Sequence, residues 1–118
     1  MTMTPRNDRA HREIVRFLES AKALRDELRS KEANYRRMAK LLDRGDDIRT
    51  ILAELNAADA RQELTDALEE LERSRHRVKI AVAATGLDEG MTIGELGRAW
   101  GVSRQLAARY AKEARSSG

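Results

Sequence analysis

The sequence predicts an all-α protein in which a long antiparallel helical hairpin is followed by a C-terminal unit of three helices. Three observations lead to this fold class. Apolar residues recur alternately three and four positions apart over most of the chain, which is typical of amphipathic helices. One proline and 36% charged residues favour long, water-exposed helices over a compact mixed fold. Single glycines, Gly45 and Gly101, separate the helical stretches and suit the tight turns between them.

The first predicted helix covers residues 8–44, and Asn7 or Asp8 can cap its start. Its apolar positions follow a heptad pattern that is interrupted once, by Lys31. We expect this seam to mediate dimerisation through Ile14, Phe17, Leu24, Leu28, Tyr35, Met38 and Leu42.

The second helical stretch begins after Gly45, with Asp46 and Asp47 as candidate caps. Two apolar stripes follow in the sequence: Ile48, Ile51, Leu52 and Leu55, and then Leu64, Leu68, Leu71, Val78 and Val82. The two stripes do not share a phase, and the mismatch falls in residues 56–60. Either the helix ends or kinks there, with Asp59 capping a new helix, or it continues and presents a different face.

Two helices with narrow apolar stripes form a poor core on their own, so we expect the hairpin to pair with a second hairpin in a homodimer. The pairing takes the form of a four-helix bundle or a coiled coil. In a hairpin folded at Gly45, Lys31 lies near Asp59, which predicts an ion pair between them. Tyr35 and Met38 are expected to be core residues.

Residues 85–90 are predicted to form a loop with a glycine at its second and last positions. Thr92 and Glu95 then form a capping box, and Ser103 caps the last helix. The apolar core between the two short helices is expected to contain Ile93, Leu96, Trp100, Val102, Leu106 and Tyr110. The preceding helix is expected to cover this core with Val78, Ala81, Val82 and Ala84. Together these residues predict a three-helix unit from about residue 76 to 115.

Residues 92–110, with the turn Gly101-Val102-Ser103 and the polar residues after it, resemble the helix-turn-helix motif of bacterial and phage transcription regulators. The resemblance covers about a fifth of the chain. It implies that the helix from Ser103 to about Arg115 enters the major groove of double-stranded DNA. Two positions depart from the family pattern, because Gly97 replaces a usual alanine and Ala107 a usual branched aliphatic residue. Both changes remove volume, which Trp100, Leu106 and Tyr110 are expected to refill.

The resemblance also implies roles for individual residues. Arg104 can fork onto guanine and Gln105 can pair with adenine, whereas Arg109 reaches bases or phosphate. Lys112 and Arg115 are expected to contact phosphates, and Thr92 at its helix start can hold another. The expected DNA-binding set is Thr92, Ser103, Arg104, Gln105, Ala108, Arg109, Lys112 and Arg115.

The charge distribution agrees with this interpretation. Residues 1–44 carry 12 basic and 7 acidic side chains, residues 45–72 carry 2 and 9, and residues 73–118 carry 9 and 4. The motif therefore lies in a basic block, as phosphate binding requires. A basic run at Arg73, Arg75, Arg77 and Lys79 precedes it. Three interpretations of this run stay open: it contacts phosphates, it is a solvated face, or it pairs with the acidic residues.

The composition excludes several other classes of function. There is no cysteine, the two histidines are far apart, and no nucleophile–base set or phosphate-binding loop is present. We therefore expect neither an enzyme nor a cofactor or metal site. No apolar run is long enough to span a membrane, and residues 1–7 read as a disordered tail without the apolar core of a signal peptide. These features predict a cytoplasmic protein that is associated with the nucleoid.

The predicted domain order is the tail, a dimerisation hairpin at residues 8–75, and a DNA-binding unit at residues 76–118. The predicted function is that of a bacterial, sequence-specific, homodimeric transcription regulator whose half-sites lie roughly 34 Å apart. Two alternatives stay open: a nucleoid-associated architectural protein with little sequence preference, and a helical interaction module whose hairpin binds a partner protein.

Overall fold

The protein is all-helical in the computed structural model, which describes residues 5–116 and the side chains of residues 9–116. It has five helices within these bounds: α1 (Pro5–Asp43), α2 (Ile48–Glu54), α3 (Ala57–Asp88), α4 (Ile93–Trp100) and α5 (Arg104–Ser116). Residues 1–4 of the predicted tail lie outside the described part of the chain. The helix α1 begins at Pro5, before the expected caps Asn7 and Asp8, and proline suits the first turn of a helix because its missing N–H has no helical partner there.

The helices α1 and α3 pack antiparallel, as predicted for the hairpin. Glu13 of α1 pairs with Arg77 of α3 at 3.3 Å, and Lys31 pairs with Glu63 at 3.4 Å. Residue numbers thus rise along one helix as they fall along the other. The reversal begins at Gly45, whose φ of +95° is the left-handed conformation that favours glycine.

The start of α2 is capped as the sequence predicted. The carboxylate of Asp47 accepts a hydrogen bond from the Thr50 N–H at 2.8 Å, and this bond lowers the pKa of Asp47. Asp46 has a different role, because its carboxylate pairs with Arg44 and its pKa is lowered by that contact.

The phase mismatch at residues 56–60 is a break between two helices. Asn56 adopts a φ of +51°, so α2 ends there and α3 begins at Ala57. The predicted cap Asp59 lies within the first turn of α3, where it accepts a hydrogen bond from the side-chain amide of Asn56 at 2.9 Å. Asn56 therefore directly precedes the new helix, and its carbonyl accepts a hydrogen bond from the Ala60 N–H at 3.1 Å.

Asp59 is consequently not the partner of Lys31, and the predicted ion pair between them is wrong. The ammonium of Lys31 lies 3.0 Å from a Glu27 carboxylate oxygen and 3.4 Å from Glu63, one helical turn beyond Asp59. Lys31 is only 5% exposed, and its contact with Glu27, followed by that with Glu63, raises its pKa. The hairpin thus holds a buried lysine that is neutralised from both helices.

The loop predicted at residues 85–90 is wrong over its first four positions, because α3 continues to Asp88. Gly86 is buried, and a Cβ at this position would lie 2.9 Å from the sulfur of Met91. Gly86 therefore lies inside the helix, close to the Met91 side chain, and not in a turn. The helix ends at Asp88, and the turn that follows contains Gly90, which has a φ of +100°.

Contacts along the chain define two compact units. We call residues 18–72 the central unit, and the described residues before and after it the terminal unit. The terminal unit therefore contains the first residues of α1 together with the end of α3, α4 and α5.

The core of the terminal unit is formed by α3, α4 and α5. Its buried members are Ile80, Ala83, Leu96, Ala107, Tyr110 and Ala114, and the half-buried residues around them are Ala84, Leu87, Met91, Ile93, Val102 and Leu106. The face of α3 in this core differs from the predicted one, which contained Val78, Ala81 and Val82 besides Ala84. The residues of α3 in the observed core are Ile80, Ala83, Ala84 and Leu87.

Candidate nucleic-acid interface

The turn between α4 and α5 is built by local hydrogen bonds. Gly101 lies at φ 75° and ψ 32°, the left-handed conformation predicted for it. The Val102 N–H donates to the Gly97 carbonyl at 2.9 Å, and the Gly101 N–H donates to Arg98 at 3.3 Å. This pattern is the Schellman motif, which satisfies the last carbonyls of a helix and turns the chain sharply.

The start of α5 follows directly from this turn. The hydroxyl of Ser103 accepts a hydrogen bond from the Leu106 N–H at 3.1 Å, while its carbonyl accepts from the Ala107 N–H at 3.0 Å. Ser103 is therefore the N-cap of α5, as the sequence predicted. Gly101, Val102 and Ser103 alone separate the two helices, so the direction of α5 is determined by a three-residue connection.

The two departures from the family pattern meet at the contact between α4 and α5. Gly97 is buried, and a Cβ there would lie 3.1 Å from the Val102 carbonyl oxygen and 3.6 Å from the Ala107 Cβ. Small residues at both positions therefore allow a close approach of the helices. Trp100 does not refill the lost volume, because it is 41% exposed at the end of α4, and its prediction as a core residue is wrong. Tyr110 is 7% exposed and does fill the interior.

A polar contact between His76 and Glu113 also links α3 and α5. The imidazole Nε2 of His76 lies 2.9 Å from both carboxylate oxygens of Glu113. The His76 ring stands edge-on to Tyr110, with ring centroids 6.4 Å apart. The sequence contained no signal for this link, because the two partners are 37 positions apart and both lie among other charged residues.

The face of α5 opposite this core is polar and solvent-exposed. At 100° per residue, the expected DNA-binding positions of α5 fall within a sector of about 140°, on the side away from the core. Arg104 and Gln105 are exposed rather than turned inward, and Ala108 is half-buried within the sector. The exposed members of this face, which we call the α5 face, are Arg104, Gln105, Arg109, Lys112 and Arg115.

The four cations of the α5 face are available to an external anion. Within residues 9–116, none of them forms an ion pair with a carboxylate. Arg77 of the basic run differs, because its guanidinium contacts Glu13 and donates to the Ser74 hydroxyl at 2.9 Å. Arg73 and Arg75 are exposed but have interactions within the chain. The positive charge of α5 is therefore less neutralised than that of α3.

Thr92 serves as a helix cap. Its hydroxyl accepts from the Glu95 N–H at 3.1 Å, and its own N–H donates to the Glu95 carboxylate at 3.2 Å. This is the predicted capping box. The Glu95 carboxylate thus occupies the positive end of α4, where a phosphate would be repelled.

The residues predicted for dimerisation occupy two kinds of environment. Phe17, Leu24 and Met38 are half-buried within the chain. Ile14, Leu28, Tyr35 and Leu42 are between 41% and 65% exposed. Tyr35 is the most exposed of them, and its place in the core of a dimer stays a prediction.

Among the described residues, no group of three or more histidine, aspartate or glutamate side chains is arranged to hold a metal ion. The described helices include none with the length and apolar character needed to cross a membrane. Comparison with protein-family models, with curated protein sequences and with solved structures finds no significant match.

Proposed function

We propose that this protein is a homodimeric transcription regulator that binds specific sites in double-stranded DNA through α5. The observation that carries the proposal is the α5 face, on the side opposite the core. It presents a glutamine and four cations that have no carboxylate partner among residues 9–116. A helix with this distribution fits the major groove, where base edges and phosphates lie within reach of one helical face.

The residues of the α5 face divide into two roles. Arg104 and Gln105, in the first turn of α5, are assigned to base edges, because arginine forks onto guanine and glutamine pairs with adenine. Lys112 and Arg115, two to three turns further on, are assigned to phosphates, and Arg109 lies between the two groups. The half-buried Ala108 leaves room for the close approach of a base or backbone.

The N-terminal side of the turn contributes support rather than contacts. Gly97 and Ala107 bring α4 and α5 together, and the short connection through Gly101 holds α5 in a set direction. Binding at Thr92 is not part of the proposal, because Glu95 places a carboxylate at that helix start.

The experiment begins with selection of bound fragments from random DNA, followed by affinity measurements on the enriched site and on a scrambled duplex at several salt concentrations. Arg104→Ala and Gln105→Ala are expected to weaken binding to the enriched site by about 1–3 kcal/mol and to relax its sequence choice. Lys112→Ala is expected to weaken binding to both duplexes alike and to lower the salt slope by about one. Lys40→Ala, which removes an exposed charge from the central unit, is the matched control and should change neither quantity.

Each other outcome has a distinct meaning. Tight binding without discrimination between the two duplexes identifies an architectural DNA-binding protein. No binding to either duplex at low salt, together with recovery of a stoichiometric partner protein, identifies a helical interaction module. An Arg104→Ala protein that discriminates sites like the parent contradicts the role of Arg104.

A further inference from the structure

The central unit exposes more large apolar side chains than it buries. Among its residues only two apolar side chains, Leu41 and Ile51, are buried. Seven large apolar residues of the same unit are exposed: Leu18, Leu28, Tyr35, Leu42, Ile48, Leu52 and Leu68. Tyr35 is 65% exposed, and the other six are between 41% and 58% exposed. Exposed apolar residues that lie together mark an interaction site, and Tyr35, Leu52 and Leu68 line one groove.

The exposed residues of α1 form a row of their own. Positions seven apart lie nearly above one another on a helix, so Ala21, Leu28, Tyr35 and Leu42 share one line. The line that packs most deeply inward contains Ser20, Glu27, Asn34 and Leu41. Leu24, Lys31 and Met38 lie between the two lines and are buried or half-buried. The outer line is therefore an additional apolar line, of which Leu28, Tyr35 and Leu42 are exposed.

This uncovered row borders a groove. Tyr35 and Met38 of α1 form one wall, and Leu52 of α2 with Leu64 and Leu68 of α3 forms the other. The cavity between them has a volume of about 280 Å³. The buried Lys31, neutralised by Glu27 and Glu63, lies at the same groove.

We propose that a second copy of this chain occupies the groove, in a two-fold arrangement that places Tyr35 of each copy against Leu52, Leu64 and Leu68 of the other. The inference rests on the homodimer that the proposed function includes, and it states where that dimer forms. It does not require that the chain bind DNA.

Charge complementarity favours a second copy as the occupant. Residues 18–44 have eight basic and five acidic side chains, whereas residues 45–72 have two and nine. Three of the basic residues pair with acidic residues at positions 45–72 of the same chain. Among the described residues, Arg25 and Arg29 have no acidic partner, and Asp59, Asp66 and Glu69 have no basic partner. A two-fold axis sets these basic residues of one copy beside these acidic residues of the other, and does so twice.

The exposed tyrosine is suited to this contact. Aromatic residues near the centre of an interface contribute disproportionately to affinity. Tyr35 projects into solvent with 65% of its surface exposed although it lines an apolar groove. In the dimer its ring enters the partner's groove as a coiled-coil knob enters a hole, with the hydroxyl near polar groups at the rim.

Sedimentation of the full chain tests the proposal. The wild type is expected to sediment as a dimer of the 13.3 kDa chain at micromolar concentration. Tyr35→Glu and Leu68→Glu are each expected to raise the dimer dissociation constant by about tenfold or more, because a buried unpaired carboxylate opposes association. Ala33→Glu adds the same charge on an exposed side of α1 and is the matched control, with no expected change.

Cross-linking gives a second test that does not depend on a destabilised variant. The chain has no cysteine, so Tyr35→Cys and Leu68→Cys proteins each carry a single thiol. When the two are mixed and oxidised, a disulfide-linked pair of the two different chains is expected, and Ala33→Cys mixed with Leu68→Cys should give none.

A monomeric wild type at these concentrations overturns the inference, as does a dimer that Ala33→Glu disrupts and Tyr35→Glu does not. Recovery of a different protein bound stoichiometrically at the groove of a monomer also overturns it. DNA binding is measured separately. A monomer that binds the selected site contradicts the proposed dimer interface but not the proposed function. A Tyr35-dependent dimer that binds no DNA supports the dimer interface and contradicts the proposed function.

Discussion

Lys31 shows how a single residue is accommodated against its ordinary preference for water. Its ammonium is buried between α1 and α3, and the carboxylates of Glu27 and Glu63 stabilise the charged form. Removing a charge from water is costly unless it is paired. The contacts raise the pKa of Lys31 despite the opposing effect of burial, so the pairing outweighs the loss of hydration.

A pH titration of stability is expected to reveal this pairing. Since the folded-state pKa of Lys31 lies above the ordinary lysine value of about 10.4, the stabilisation is complete below that pH and is lost as pH rises through the folded-state pKa. The free energy of unfolding of the wild type should therefore fall relative to that of Lys31→Met as pH rises above about 10. Chemical denaturation at a series of pH values measures the difference.

Lys40→Met is the control, because Lys40 is an exposed lysine on the same helix. An equal pH dependence for Lys31→Met and Lys40→Met contradicts the assigned stabilisation.

At the scale of the elements, the contact between α4 and α5 depends on two residues with little or no side chain. The absence of a Cβ at Gly97 lets the Val102 carbonyl and the Ala107 methyl approach α4. Glycine inside a helix lowers its stability, so α4 is held by this packing and by its two caps rather than by its own propensity.

Alanine substitutions at two glycines of α4 are expected to have opposite signs. Gly97→Ala should lower the free energy of unfolding by about 1–3 kcal/mol, because its methyl group meets backbone that the turn holds in place. Gly94→Ala should raise it by about 0.5–1 kcal/mol, because helix propensity improves and the nearest atom belongs to the flexible Arg98 side chain, 3.4 Å away. Urea unfolding followed by circular dichroism measures both.

The pair is its own control, since the two changes add the same methyl group to the same helix. Equal effects of the two substitutions contradict the close approach of α4 and α5. A Gly97→Ala protein that is destabilised should also bind the selected DNA more weakly, because the direction of α5 depends on this contact.

At the scale of the whole molecule, the two compact units differ in how completely they are built. The terminal unit buries eight apolar side chains of α3, α4 and α5, whereas the central unit buries two. Burial of apolar surface is the main favourable contribution to folding. The central unit therefore gains the most from association with a second chain.

The melting temperature is accordingly expected to rise with protein concentration. When folding is coupled to dimer formation, mass action stabilises the folded state at higher concentration. Thermal unfolding of the wild type over roughly a hundredfold range of concentration should show a progressive increase. For the Tyr35→Glu protein, which should be monomeric, the melting temperature should be lower and nearly independent of concentration. A concentration-independent wild type would contradict the coupling.

The sequence by itself determined the all-helical fold, the antiparallel hairpin reversed at Gly45, and the caps and turn of α4 and α5. These features depend on apolar periodicity and on hydrogen bonds among residues a few positions apart, such as Thr92 with Glu95 or Ser103 with Leu106. The exposure of Arg104 and Gln105 followed from the same periodicity, because the core positions of α5 leave only one free face.

Only the tertiary structure decided the features that involve a choice between competing partners. The glycine at position 86 favours a loop locally, yet α3 continues to Asp88 with Gly86 buried near Met91 and Leu96. The hairpin geometry predicted Asp59 as the partner of Lys31, whereas the observed partner on α3 is Glu63, one turn further on. The heptad pattern of α1 does not tell which of its lines packs within the chain, and the packing leaves Leu28, Tyr35 and Leu42 exposed. These outcomes depend on contacts between helices, and no pattern within one helix contains them.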